Sequence, residues 1–548
     1  MTHRTIAALV ILTLAACSED DQVPADAGID VGAIADGAGD GEVPLVDGGP
    51  TVGADDAETA DGDGAGAADG EADSANTPDT HEADAPFDGA TVDAEDTTAS
   101  VDVAPADGGA DSNDGDTSSD VKVTVTPALI PLAQADFPLG VQAADPASDG
   151  ALIWTRHDGW GPLRWLVLTD GADDEPGEVL ASGVAQKVDG FAVVEVAGLP
   201  AGTPVRYLFT NDHDATSPDA RRSPVGRFGT APAPDELVEV TIGATSCVDV
   251  SQAPLGAIAA AADHPLDLFV WLGDTVYADG ARTLEEYRDF WTESYVTSAY
   301  RALHGATSHV YTWDDHEVFN NWDPETVDPA HLAAATQAFF EHAPMRHPEE
   351  APGRIWRSLR WGATLELFVL DCRSERLPST KDTAAAQYIS PEQLAWLIEG
   401  VQTSDAVFKV VANSVPITNM PPIYLGNDDR WEGYDAQRDA VLDAIGHVPG
   451  LVWIAGDFHF ASVNGIEPPG TKYGSVWEIL AGPGAKLQNP MWLVIGQGLY
   501  KDQFLWLDGV NNTVRLHLDP FPAVPTLTVE FVDATGAIAH TETLTYPE

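Results

Sequence analysis

The chain predicts an α/β layered domain preceded by a β-sandwich, and three observations predict it. First, six short apolar runs in the second half each end in residues that can ligate a metal or move a proton. They are Val238–Cys247, Leu266–Asp274, Val310–Glu317, Leu365–Arg373, Val407–Asn413 and Leu451–His459. Runs of this length, rich in β-branched residues, suit strands buried on both faces. Second, helical patterns with start signals lie between them. Third, the preceding stretch alternates and turns often, as antiparallel strands do.

Taken in order, the elements begin with Arg4 and the apolar run Thr5–Ala16, followed by Cys17. The run is too short to span a membrane comfortably and has the shape of a signal peptide. Between Arg4 and Lys122 there is no Lys or Arg, and Asp, Glu, Ala, Gly, Thr and Ser dominate. Such a stretch cannot bury enough surface to offset chain entropy, so residues 18–125 are expected to form a disordered acidic linker. Scattered carboxylates could bind calcium, but nothing there spaces them like a calcium loop. With this segment the 548-residue chain reaches a formal charge of -62. The remainder is also acidic, which argues against a nucleic-acid-binding patch.

From residue 126 to 234 a β-sandwich is expected. Asp149-Gly150, Asp170-Gly171 and Asp189-Gly190 are turn dipeptides. Around them Ala151–Thr155, Leu163–Leu168, Phe191–Val196 and Val205–Phe209 read as strands. The segment Gly198–Tyr207 resembles the strand-turn-strand of fibronectin type III domains, and Thr230–Pro234 reads as a hinge. From 235 to 548 the α/β domain follows. Thr283–Glu286 is a capping box opening a helix through Tyr287, Phe290, Trp291 and Tyr295. Ser390–Gln393 is a second, with Pro391 at the first helical position and Leu394, Leu397 and Ile398 on its apolar face. Thr513–Leu518 and Leu527–Phe531 read as terminal strands.

In layered α/β folds ligands bind beyond the carboxyl ends of the strands. Gly273 there permits a tight turn before Asp274, with Tyr277 three residues on. Dinuclear metallophosphoesterases carry a Gly-Asp at this place, where its carboxylate bridges two cations. Asp314-Asp-His-Glu317 stands where they carry Gly-Asn-His-Glu, and Gly456-Asp-Phe-His459 resembles their Gly-His-x-His. Imidazoles are lost while a thiol, a phenol and carboxylates appear. Oxygen ligands favour hard cations.

With these departures the chain resembles the PhoD-like family, alkaline phosphatase D and its phosphodiesterase relatives. The marks are Ser246-Cys247, Gly273–Tyr277, Trp313–Trp322, Leu370–Arg373, Trp431–Tyr434 with Arg438, and Gly456–His459. Phe137–Val141, Asp145-Pro146 and Trp154–Arg156 look like the β-domain that precedes such catalytic domains. The resemblance covers the chain from Phe137 onward. It implies a metallophosphoesterase-type α/β domain holding iron and calcium, with Cys247, Asp274, Tyr277, Asp315, Asn321, Asp457 and His459 as metal residues. It gives His316 the leaving-group acid role in hydrolysis of a phosphate ester by metal-bound hydroxide. Arg373 would face phosphate through its planar fork or pair with Asp371. Asp314 would orient its neighbour, and Cys372 would be core.

Leu14–Cys17 resembles a bacterial lipobox. That implies an exported lipoprotein, a monomer held to a membrane at the periplasm or cell surface through lipidated Cys17. An ordinary secretory signal is the alternative. The alternatives in function are a phosphodiesterase of phospholipase D-like type and a catalytically weakened surface binding protein. No disulfide is expected between Cys247 and Cys372, which both end buried strands.

Overall fold

Turn chemistry sets the first strands in place. At Asp189 and Gly190 both φ angles are positive, 51° and 89°, which closes a two-residue turn across which Val188 and Phe191 exchange backbone hydrogen bonds. The computed structural model describes residues 122–212, 217–420, 430–495, 500 and 502–546. The signal segment, Cys17 and nearly all of the acidic stretch lie outside the described residues. Its last residues do not belong to a linker: β1 (Thr124–Val125) pairs with β5 (Gly177–Ala185).

The first layer also contains β4 (Leu163–Thr169), β7 (Pro204–Thr210) and β8 (Gly226–Gly229), in the order β1-β5-β4-β7-β8. It packs on β2 (Val141–Ala147), β3 (Gly150–Arg156) and β6 (Phe191–Val196) through Phe137, Ile153, Val167, Tyr207 and Phe209, all fully buried. The expected strands are therefore present as a two-layer β arrangement. The second layer does not end with the sandwich. β2 runs parallel to β11 (Ser308–Thr312) and is hydrogen-bonded to it, so β2, β3 and β6 extend a nine-stranded sheet. The expected hinge is not one. Thr230 and Ala231 are buried, and Ala231 exchanges backbone hydrogen bonds with Ala147 and Gly202.

In the nine-stranded sheet β9 (Val240–Thr245), β10 (Leu268–Leu272) and β11 lie side by side and parallel. The terminal strands β19 (Asn512–Asp519), β20 (Thr526–Asp533) and β21 (Ile538–Thr545) add to β9 as an antiparallel extension. A second, seven-stranded sheet has β13 (Leu365–Val369), β14 (Phe408–Asn413) and β15 (Leu451–Ala455) in parallel at its centre. Leu268, Val270 and Leu272 face Leu367, Val410, Val452 and Ile454 in the core between the sheets. Their alternates, Phe269 and Trp271, face outward under helices. Burial on both faces is why these runs are almost wholly apolar.

Helices α1 (Gly256–Ala262), α2 (Leu284–Tyr295), α3 (Ser298–Ala306) and α4 (Pro329–His342) contribute to the core outside the first sheet. α5 (Pro391–Thr403) and α6 (Asp435–Ile445) cover the second. The layers thus run helix, sheet, sheet, helix. The capping box at Thr283 forms with both bonds. At Ser390 only half forms: Ser390 Oγ accepts from the Gln393 amide, but the Gln393 side chain turns inward to the backbone of Asp371. Gln393 is fully buried, and satisfying the Asp371 backbone outweighs a second cap bond.

Candidate metal centre

All six sequence runs are strands, and six residues or turns just past their ends meet. Three come from each sheet: Cys247, Asp274 and Asp315 follow β9, β10 and β11, while Arg373, Ser414 and Asp457–His459 follow β13, β14 and β15. The backbone is bent sharply to do this. The non-glycine residues with positive φ include Cys247 (56°), Asp274 (52°), Asn321 (56°), Asp457 (66°) and His459 (54°). Left-handed φ is costly for such residues and gathers at functional sites. Gly273 has no choice, with φ 89° and an added Cβ only 2.4 Å from Asp314 Cβ.

Two groups of ligand atoms share Asp274. Cys247, Asp274 and His459 bring Sγ, carboxylate oxygen and imidazole nitrogen within 4.8 Å of one another, as do Asp274, Asp315 and His316. The Tyr277 hydroxyl donates to Asp274 Oδ2 at 3.2 Å and lies 3.2 Å from His459 Nε2. The Cys247 thiol is 3.5 Å from Asp274 Oδ2. Asn321 meets the site through its backbone, whose amide donates to Asp315 Oδ2 at 2.5 Å, while its residue is exposed. Asp457 is in neither group, although its charge helps hold the Cys247 thiol protonated.

Electrostatics explain what the site needs. Burial first, then Asp315, Asp314 and Glu317, push the Asp274 carboxyl well above its usual range despite nearby His316. Burial, then Asp274, does the same to the Cys247 thiol, and burial, then Cys247 and Asp274, to the Tyr277 phenol. Burial opposes charge on His316, but Asp315, Asp274 and Asp279 outweigh it and push it up to about 10. Burial, then His316 and Lys486, lower His459 to about 4. In ionised form so many buried acidic groups are tolerable only beside cations, and a cation would draw the protons from carboxyl, sulfur and phenol. The donor set fits a metal pair: sulfur, phenol, imidazole and carboxylate on one side, and mainly carboxylate oxygen on the other.

Two family models match in tandem: the PhoD-like phosphatase model over residues 242–489, and the model of its N-terminal domain over residues 124–232. The chain belongs to the PhoD-like phosphatase family. Alkaline phosphatase D of Bacillus subtilis (strain 168) is 29% identical over 386 residues, covering 59% of this chain and 64% of that protein. The chain thus matches a little under two thirds of the length of that relative. A solved structure of PhoD is similar with a TM-score of 0.64 at 23% identity, covering 75% of this chain and 89% of that one. A purple acid phosphatase, PPD1 from yellow lupin (Lupinus luteus) seeds, is similar with a TM-score of 0.50 at 11% identity, covering 77% and 74%. These two likenesses concern the fold alone.

Within this PhoD-like framework one assignment changes. Arg373 was expected to face phosphate or pair with Asp371. Its side chain is fully buried, and its fork binds Asp314 at 2.6 and 2.8 Å. Asp371 instead caps the turn, accepting from the amides of Arg373 and Ser374. A guanidinium held this way is part of the frame rather than a phosphate ligand. Asp314 also accepts from Ser414 Oγ at 2.8 Å, so the residue just past β14 holds the frame too. Cys372 is buried, its thiol donating to Asn413 Oδ1, and both Cys247 and Cys372 are free, as expected.

Two residues of the PhoD-like site had no assigned role. Asp279 faces His316 Nδ1 at 2.8 and 2.9 Å and accepts from the Asn320 amide. Its signal was faint: an acid two residues beyond Tyr277. Glu317 is fully buried and accepts from the amides of Asp274, Thr275 and Asp314. Burial pushes it up to about 7 against those bonds. It ties the turn after β10 to the turn after β11.

Proposed function

We propose that this chain is a metal-dependent phosphoester hydrolase that uses iron and calcium. The observation that carries the reading is Asp274, whose carboxylate is shared by a sulfur-phenol-imidazole set and a carboxylate-rich set. Cys247, Tyr277 and His459, with Asp274, would hold ferric iron. Asp274 and Asp315, helped by Asp457 and Asn321, would hold calcium. When bound, the ions neutralise phosphoryl oxygens and lower the pKa of water.

The chain's own part is the proton. His316 Nδ1 is engaged by Asp279, which fixes the ring and sustains its charge. Nε2 then delivers a proton to the departing oxygen. Glu317 and the Arg373–Asp314 pair keep the strand-end turns in register, so the acid and the ligand set stay aligned.

The lipobox-like Leu14–Cys17 adds a further proposal: the enzyme is exported and tethered to a membrane at the periplasm or cell surface through Cys17. Cys17→Ala should then leave membranes with its specific activity intact, whereas a wild type found wholly soluble would refute the anchor.

The catalytic reading is tested by purifying the protein without chelator and measuring metals and hydrolysis of p-nitrophenyl and bis-p-nitrophenyl phosphate. Iron, calcium and a visible tyrosinate band that Tyr277→Phe bleaches are expected. A colourless, zinc-loaded and fully active protein would overturn the metal assignment, and hydrolysis of neither ester would overturn the activity.

A further inference from the structure

The ammonium of Lys486 lies 3.7 Å from the centroid of the Tyr277 ring. The hydroxyl of that ring is 3.2 Å from both Asp274 Oδ2 and His459 Nε2. The charge therefore hangs at the edge of the ligand cluster. It is held there by backbone. The Gly484 amide donates to Ser246 O at 2.8 Å, Ala485 to Cys247 O at 3.2 Å, and Asp249 to Ala485 O at 2.9 Å. The Asn489 amide donates to His459 O at 3.0 Å. The loop that carries Lys486 is thus fastened at both ends to ligand-bearing turns.

Lys486 gives one N–H to Asp249 Oδ2 at 2.8 Å. Asp249 is occupied on its other oxygen by the amide and hydroxyl of Ser251. An ammonium has three donors, and this side chain remains 23% exposed. Arg373, by contrast, is fully buried and engaged with Asp314. Arg373 Nη2 lies 3.7 Å from Asp315 on the buried side, so a phosphoryl group at the exposed rim of the cluster would meet the ammonium of Lys486.

We infer that Lys486 is a specificity-determining residue: its ammonium binds a non-bridging oxygen of the phosphoryl group and favours phosphate monoesters over diesters. The inference rests on the phosphohydrolase reading above. A monoester has its second ionisation near pH 6 and carries close to two charges above it, whereas a diester carries one. A cation at the rim rewards the second charge. A purely structural role, in which Lys486 only pairs with Asp249, gives no such discrimination.

The test compares the full-length protein with its Lys486→Gln, Lys486→Arg and Asp249→Asn variants. Metal content and KM and kcat on p-nitrophenyl and bis-p-nitrophenyl phosphate are measured, and inorganic phosphate is titrated calorimetrically. Lys486→Gln should keep its metals but raise KM for the monoester and weaken phosphate binding roughly tenfold or more, the worth of one hydrogen bond to a charged group. The diester should change little. Lys486→Arg should recover most of the loss, and Asp249→Asn, which retains the ammonium, should keep phosphate affinity. Equal losses on both esters, unchanged phosphate binding, or identical behaviour of Lys486→Gln and Asp249→Asn would overturn the inference. If Lys486→Gln does not fold, Lys486→Met takes its place, and the same monoester-selective loss with weakened phosphate binding is required of it. A wild type that hydrolyses neither ester counts against the phosphohydrolase reading instead, and phosphate titration still judges Lys486.

Discussion

His316 has Nδ1 on Asp279, 2.8 Å from Oδ1, and therefore only Nε2 left for chemistry at the cluster. Asp279 is 40% exposed along its side chain, so it reaches the imidazole from the solvent side while Asp274 and Asp315 reach it from within. His316→Ala should keep metals and lose roughly 10²–10⁴-fold in turnover, the usual worth of general acid catalysis. The loss should be smaller for p-nitrophenyl esters, whose leaving group needs no proton, than for alkyl phosphates. Asp279→Asn should reproduce a fraction of this defect with the same substrate dependence. Metal loss in His316→Ala equal to that in Asp274→Ala would make His316 a ligand.

The Arg373–Asp314 pair should behave as a frame. Removing one partner of a buried pair strands the other charge, at a cost of about 3–5 kcal/mol. Arg373→Ala should therefore lower the unfolding free energy by that order, with activity lost alongside fold and metal. Denaturant unfolding measures it. A stable Arg373→Ala with intact metals and a raised KM would return Arg373 to the substrate.

Gly273→Ala should fail at the turn that presents Asp274. The added Cβ would sit 2.8 Å from the Asp314 amide nitrogen, and φ is 89°. Metal content should fall with the substitution. Gly456→Ala should act similarly from the other sheet, because its Cβ would meet Ser246 Cβ at 2.5 Å. Full metal occupancy in either variant would show that the turn can relax.

Stripping the metals should lower the melting temperature. An ion bound to the folded state stabilises it by mass action, and here it also relieves crowding among buried acids. Chelation should shift Tm down and re-addition restore it. In Asp274→Ala the shift should be nearly absent, since the shared ligand is gone.

Arg357→Ala should loosen β2 of the nine-stranded sheet from the seven-stranded sheet, whose edge strand carries Arg357. Its guanidinium grips Asp145 at 2.7 and 2.8 Å, and Asp145 is buried with φ 44°. A loss of about 3–5 kcal/mol is expected, as for other broken buried pairs. Earlier proteolysis within residues 126–234 than elsewhere would locate the loosening.

The strands that build the site were legible because burial on both faces writes an apolar run, and the runs of β9, β10, β11 and β15 each ended in a ligand candidate. Which runs pair was not legible. Nothing in periodicity tells that β9, β10 and β11 share one sheet and β13, β14 and β15 another, since pairing depends on long-range packing. Arg373 shows the same limit. Asp371 is its neighbour in sequence, but Asp314, 59 positions away, is its partner in space. Cys247, Asp274, Tyr277, Asp315, His316 and His459 were readable from motif resemblance. Asp279 and Lys486 were not, because each lies in a loop with no pattern, and only the fold brings it to the cluster.

The parallel pairing of β2 with β11 has a consequence for how this protein can be divided. Ser308 and His309 find their partners in Ala143 and Ala144, so a chain begun at residue 235 would lack them. The central sheet would then bare a flat, apolar border with unanswered amides and carbonyls, an invitation to stick to its own copies. The amino-terminal strands are not an accessory that can be trimmed or exchanged for another module. The α/β domain and the β-layer before it form one piece of hydrogen-bonded fabric, and a workable cut must fall upstream of β1.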